Sequence, residues 1–322
     1  MHSHHRLGSV AVATIAILTL ATGCSEAGGA SGSFQPRGNV TMVVPFEAGG
    51  GSDASGRAIA AGLEKVGDGF STSVENRVGG SGAVGYSDFL GRNGEENTLL
   101  ASETAMLALP LTQDVEFDYT DFTPIMKLGD DYTLVVVPAE SPYKTCSDVV
   151  AAARSGRVVA AVSGATSLDE IVFSLIEDDQ GVEFDRVPFE SGSEVISGML
   201  GGDVDVASLN PGEVVGQIKS GDLKPLCAAS DERYDTPDLA DVPTAKEQGI
   251  DVSFAQFRGF IAPGGISPEA KKYWIEVAKK FAETPEYQKY IDDNLMQDGT
   301  LYGDDFTAYL EKNNADLEKA LR

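Results

Sequence analysis

The sequence predicts an α/β fold in two lobes, each lobe a mostly parallel β-sheet flanked by helices. Short β-branched runs alternate with longer segments of helical period from residue 39 to about residue 230, the order expected of repeated βα units. Several strand segments, among them "YTLVVVP" and "VVAAVSG", are unbroken apolar runs of the kind covered on both faces. No repeat and no second linker interrupts the folded part, so two lobes joined by more than one crossing fit better than two separate beads. With 322 residues, 42% of them hydrophobic, the chain can bury one large core or two medium ones.

The elements follow in order. "VTMVVPF" is the first strand, and Ser52 to Val66 is a helix with Ala58, Ile59, Gly62, Leu63 and Val66 on one face. "STSVENRV" is the second strand; a second glycine loop, "GGSG", leads into a helix around residues 83 to 91, and "NTLLAS" is the third strand. After a looser stretch come the strand "YTLVVVP", the helix "CSDVVAAARSG", the strand "VVAAVSG" and a helix from Ser167 to about Asp179. The strands "DRVPFE", "VDVASLN" and "LKPLCAAS" alternate with the helices "EVISGMLGG" and "GEVVGQIKSG". "FAQFRGFIAP" is a further strand. From "ISPEAKKYWIEVAKK" onward the pattern is helical, broken near Pro285, with Ser267 as N-cap and Pro268 at the first helical position.

The start of the chain reads as an export signal. Arg6 precedes the uncharged run "VAVATIAILTLATG", short for a bilayer span but suited to the apolar part of a secretory signal. "LATGC" then resembles a bacterial lipoprotein processing site, which would make Cys24 the lipidated first residue of the mature protein; a plain signal peptide is the alternative. Residues 1–23 are thus expected to be removed, and the small polar stretch 24–38 to act as a flexible tether. All three histidines, His2, His4 and His5, leave with the signal. A mature protein without imidazole can assemble no Ser-His-Asp or Cys-His triad and no histidine metal site, so no catalytic residue, metal or cofactor is expected. Losing Arg6 takes the formal charge from −26 to −27. So acidic a surface excludes nucleic acid as a partner, since binding it needs a basic face. Cys146 and Cys227 are the remaining thiols, and in an exported chain a disulfide between them is expected, with two separately buried thiols as the alternative.

Two loops carry the chemistry. "GGGSD" precedes the helix at Ser52, and "SGATS" follows the strand "VVAAV". Strand, glycine loop and helix together make an anion-binding geometry, because free N–H groups and the positive end of the helix face the loop. The plain reading is that Ser52 and Ser167 only cap their helices. Gly49, Gly51 and Ala54 also match the dinucleotide spacing G-x-G-x-x-A, with Glu75 placed as a ribose-binding acid. Export and the Ser52-Asp53 pair speak against that reading. A serine hydrolase would need a base other than histidine, and no Ser-x-x-Lys lies near either serine. Solute capture between the lobes fits both loops.

The segments "VPFEAGGGSDASGRAIAAGL", "VENRVGGSGAVG", "VPFESGSEVISGMLGGDVDVASLN", "GDLKPLCAAS" and "LADVPTAKEQGIDV" before "FRGFIAPGGISPEA" occur in an order and spacing that resembles the extracytoplasmic solute-binding receptors of tripartite tricarboxylate transporters, from Val40 to about Ala278. The resemblance implies the class II periplasmic binding protein fold, the two-lobed Venus flytrap, with lobe 1 formed by residues 39–131 and 229–322 and lobe 2 by 132–228. It implies a monomeric, lipid-anchored receptor outside the cell membrane that takes a small carboxylate and works with large and small membrane subunits, or else a sensor without transport. It also implies ligand contacts at Phe46, Gly50, Gly51, Ser52, Asp53, Ser102 and Thr104 in the first lobe, and at Ser163, Gly164, Thr166, Ser167 and Asn210 in the second. The family's second-lobe loop commonly runs Gly-x-Gly-Ser-x-x-His, whereas here Thr166 stands for the second glycine and Glu170 for the histidine. Glu47, Glu103 and Glu213 fall near the expected loops, either as solvated charge or as partners for a cationic group on the ligand.

Overall fold

β1 (Gly38–Val44) is buried along its second half, with Val43 and Val44 fully covered, and it is the strand around which the first sheet is laid down. The structure, a computed structural model, describes residues 34–163, 167–189 and 191–321. β2 (Phe70–Asn76) and β3 (Thr98–Glu103) pair with β1 in parallel on either side. β4 (Thr123–Asp131) follows β3 in sequence but not in space, because β10 (Gln256–Ala262) lies between them and pairs antiparallel with both. β11 (Gln297–Tyr302) closes the edge, giving the order β11-β4-β10-β3-β1-β2.

The second sheet has the order β7-β6-β8-β5-β9, formed by β5 (Leu134–Pro138), β6 (Val159–Val162), β7 (Asp185–Pro188), β8 (Val206–Leu209) and β9 (Leu223–Ala228). β6 pairs in parallel with β7 and β8, and β5 antiparallel with β8 and β9. Both sheets are therefore mixed, which corrects the expectation of mostly parallel sheets. Each chain crossing delivers a strand in the reversed direction: β5 enters the second sheet just after β4, and β10 re-enters the first after β9. An unbroken apolar run reports burial on both faces and says nothing about strand direction.

Helices cover the sheets. α1 (Gly51–Val66) buries Ile59, Ala60 and Leu63 against the first sheet, each large side chain stabilising the fold by about 1.5–3 kcal/mol. α2 (Ala83–Leu90) and α3 (Ala105–Thr112) flank the β3 region. α4 (Cys146–Ser155), α5 (Leu168–Gln180), α6 (Gly192–Gly201) and α7 (Pro211–Ser220) dress the second sheet. α8 (Pro268–Ala282), α9 (Pro285–Asp293) and α10 (Gly303–Ala320) return to the first. Ser267 caps α8 by accepting from the Ala270 N–H at 3.2 Å, and Trp274 anchors the helix by donating to Glu96 O at 2.9 Å.

One apolar cluster runs between the sheets, and one covalent bond ties a helix of the second sheet to its edge strand. Val135 and Val137 of β5, Phe257 of β10 and Phe306 of α10 belong to one continuous apolar cluster. Cys146, at the start of α4, is disulfide-bonded to Cys227 of β9 with their Cα atoms 6.0 Å apart. Cys24, expected as a lipidation site, lies outside the described residues.

Candidate functional site

The loop between β1 and α1 is shaped by Asp53. Its carboxylate accepts from the Gly49 N–H (2.9 Å), the Asn76 amide (2.9 Å) and Arg57 Nε (2.8 Å), while Gly49 adopts φ +91°. The Arg57 bond is the largest cause of a carboxyl pKa lowered to about 2, ahead of burial, which acts in the opposite direction. Asp53 thus holds the loop rather than offering an oxygen to a ligand. Gly50 and Gly51 are exposed at the helix start, and the N–H groups of Gly51 and Ser52 have no acceptor among the described residues. These are the free donors of a helix N-terminus. Phe46 packs beneath the loop between two apolar clusters, and Glu47 stands exposed on it.

Ser52 does not cap α1; the N-cap is Gly50, with no side-chain bond. Its hydroxyl turns inward instead and donates to Glu103 Oε2, while accepting from Arg258 Nη1 at 3.1 Å. Glu103 also accepts from Arg258 Nη1 and from the Gln256 amide at 3.2 Å. Arg258 Nη2 reaches Asp131 Oδ2 at 3.3 Å. Glu103 and Arg258 are each 7% exposed and Asp131 5%, so this is a buried charge cluster beside the α1 N-terminus. Burial works against the Arg258 charge, but Glu103 and Asp131 outweigh it and raise the guanidinium above its ordinary value. Burial raises the Asp131 carboxyl, with Arg258 and the Asn210 amide opposing.

The neighbours of Glu103 in "SET" go elsewhere. Successive strand side chains face opposite ways, and Ser102 lies opposite Gly259 with its buried hydroxyl lacking a hydrogen-bond partner. Thr104 is buried and accepts from the Phe257 N–H at 3.2 Å.

From the second lobe, Asp169 plays the part that Asp53 plays in the first. It accepts from the Ser163 N–H (2.6 Å) and hydroxyl (3.1 Å). Ser167 does cap α5, accepting from the Glu170 N–H at 3.4 Å. Glu170, in the histidine position of the family pattern, is bound by Arg186 at 2.9 Å. Gly164 and Thr166 lie outside the described residues. Asn210 precedes α7 without capping it and donates to Tyr132 O at 3.5 Å. Three residues on, Glu213 donates its backbone N–H to Asn210 O at 3.0 Å, while its exposed side chain makes no hydrogen bond or ion pair among the described residues, although its Oε2 lies 2.7 Å from where a Cβ on Gly192 would sit. Desolvation, then the charges of Asp131 and Asp169 against that of Arg258, raise its pKa.

Sequence reasoning picked out Ser52, Glu103 and Glu213 but missed Arg258 and Asp131. A lone arginine inside the apolar strand "FAQFRGFIAP" was the available signal, since a buried cation requires a buried partner. Among the described residues no three His, Cys, Asp or Glu are arranged to hold a metal ion.

The sequence pattern of the tripartite tricarboxylate transporter family receptor matches residues 56–315. The chain belongs to that family. A Cupriavidus necator protein named for the gbd 5′ region is 26% identical over 259 residues, spanning 80% of this chain and 78% of its own. A TctC solute-binding protein from Polaromonas, solved without ligand, superposes with a TM-score of 0.74 at 27% identity over 89% of this chain and 98% of its own. The R. palustris protein Rpa4515, solved with adipate, superposes at 0.80 with 24% identity over 88% and 96%. The two-lobed α/β fold of these receptors is the fold of this chain, and family and fold alike are those of substrate-binding receptors, not enzymes. No helix among the described residues is long and apolar enough to cross a membrane.

Proposed function

We propose that this receptor is exported, tethered to the membrane through a lipid on Cys24, and captures a small organic carboxylate between its lobes for delivery to the large and small membrane subunits of a tripartite transporter. The observation that carries the reading is the α1 N-terminus: Gly50, Gly51 and Ser52 present unbonded backbone donors beside a buried cation, in a chain of this receptor family. A carboxylate there would meet oriented N–H dipoles rather than the net acidic field of the whole protein. Adipate in the similar R. palustris protein supports the ligand class. In this reading Ser163, Ser167 and Asn210 close on the solute from the second lobe.

Thermal-shift screening of the purified protein against dicarboxylates, tricarboxylates, aromatic acids and amino acids tests the proposal. A specific carboxylate is expected to raise the melting temperature in proportion to the logarithm of its concentration. Stabilisation by nucleotides alone would reject the reading. Ser52→Ala keeps the backbone donor and removes only the hydroxyl that steadies Glu103 and Arg258, so it is expected to weaken binding by less than about 1 kcal/mol, roughly fivefold in affinity.

A further inference from the structure

α9 ends in a conformation that its sequence resists. The Leu295 N–H donates to Asp292 O at 3.1 Å and the Met296 N–H to Ile291 O at 3.0 Å, the paired bonds of a helix end that calls for a left-handed residue. Leu295 supplies it, with φ +53°. A left-handed Cβ is pressed against the following carbonyl, which is why glycine usually takes such a place. α5, α6 and α7 obey that rule, ending on the left-handed glycines Gly181, Gly202 and Gly221. What leucine adds at 295 is a side chain, and that side chain leaves its own sheet. It packs on the apolar cluster of the second sheet, which includes Leu134, Val136, Leu209 and Val214. Beside it the two backbones come close: a Cβ on Gly212, in the first turn of α7, would lie 3.2 Å from Asn294 Cα and 3.3 Å from Asn294 O.

Both partners stand at the sheet ends that carry the candidate site. β6 and β8 run in parallel, and Ser163, Asn210 and Gly212 all follow their C-terminal ends. In the first sheet Gln297 of β11 lies opposite Asp130, and Gln256 of β10 opposite Asp131, so Leu295 precedes β11 at the end of the sheet where Arg258 lies opposite Glu103. We infer, resting on the receptor reading above, that Leu295 is a clasp between the lobes: seated on the second lobe, it holds the two together on the solute side and so sets how tightly the receptor retains its solute. The strain at residue 295 is local and is the same whether the lobes are together or apart, whereas the apolar contact forms only when they meet. The contact therefore favours the closed arrangement, and a solute that needs closure binds more tightly as that arrangement gains population. Gly212 serves the same end by leaving room for the approach.

Pulsed dipolar spectroscopy on the purified protein tests this, with spin labels on Ser220→Cys of α7 and Lys289→Cys of α9, both exposed positions. A Cys24→Ser background leaves no competing thiol, because Cys146 and Cys227 are bonded to each other. Leu295→Gly keeps a turn that glycine adopts freely and deletes the side chain, while Gly212→Val keeps the side chain and drives the backbones apart; a thermal melt checks folding of both. Each variant is expected to shift the label distances to longer values. Calorimetric titration with adipate, succinate and citrate is expected to show affinity lowered about threefold or more for whichever of them the wild type binds. A leucine that serves only its own turn gives a different result, in which Leu295→Gly changes the urea midpoint but keeps wild-type distances and affinity. Distances that neither variant alters, or an affinity that neither alters, overturn the inference and leave the receptor reading standing. If the wild type binds none of the three, nor any other carboxylate of the thermal screen, the receptor reading fails and the distances alone decide the clasp.

Discussion

Arg258 is tolerated in a buried strand because two carboxylates and a hydroxyl meet it there. Removing it strands both acids. Arg258→Met is expected to destabilise the protein by about 3–5 kcal/mol, since an uncompensated buried charge costs more than the pair contributes. Urea unfolding measures this, and a loss below about 1 kcal/mol would mean the cluster is more hydrated than its burial implies. Asp53 gives a pH-dependent counterpart. Its folded pKa, about 2, lies below the ordinary aspartate value of 3.8, so its contribution is present above pH 4 and is lost as the pH falls through 2. Allowing for the exposed Arg57 end, that contribution is about 1–2 kcal/mol. The stability gap between wild type and Asp53→Asn should therefore be constant from pH 6 to 5 and close toward pH 2. The same two residues show what the sequence reveals at this scale. Asp53 was legible as a loop residue, but its role as the organiser of the loop depends on Asn76, which is distant in sequence. Ser102 is implied by the family resemblance and Glu103 stands out as a charge near the loops, but alternation along β3 allows only one of the two to face Arg258.

Among the elements, α1 and α8 meet through a glycine. A Cβ at Gly62 would come within 2.1 Å of the Phe281 ring, so the glycine is what lets Phe281 of α8 lie against α1. Gly62→Ala should destabilise by about 1–3 kcal/mol through overpacking, despite the better helix propensity of alanine. A gain in melting temperature would show that α8 can shift away freely. The disulfide joins elements 81 residues apart in sequence, and replacing both cysteines by serine should cost about 2–4 kcal/mol in the same assay. Gly62 was already readable as part of the buried helix face, though not what it accommodates. Three elements were not readable at all. β4, "TPIMKLGDD", buries Lys127 behind an ion pair with Asp130 and so lacks an apolar period. β11, "QDGTLY", is a polar edge strand that follows helical sequence, and α3, "AMLALPLT", contains Pro110 and has no polar face to mark it. In each case tertiary partners supply what local pattern does not.

For the whole molecule, charge separates a dianionic from a zwitterionic carboxylate by the kinetics of binding. The formal charge of −26 surrounds the cleft with a negative field that repels an approaching dianion over about one Debye length, roughly 10 Å at 0.1 M salt. A zwitterion has no net charge for that field to act on. Rapid-mixing measurements between 10 and 300 mM salt should accordingly show association of any bound dicarboxylate speeding up several-fold as the field is screened, while that of an amino-bearing solute changes by less than about twofold. Affinity alone cannot make this distinction, because contacts within the cleft are short-ranged and screened far less than the approach to it. A zwitterion whose association accelerated with salt as steeply as that of a dianion would show that the acidic surface does not set the rate of approach.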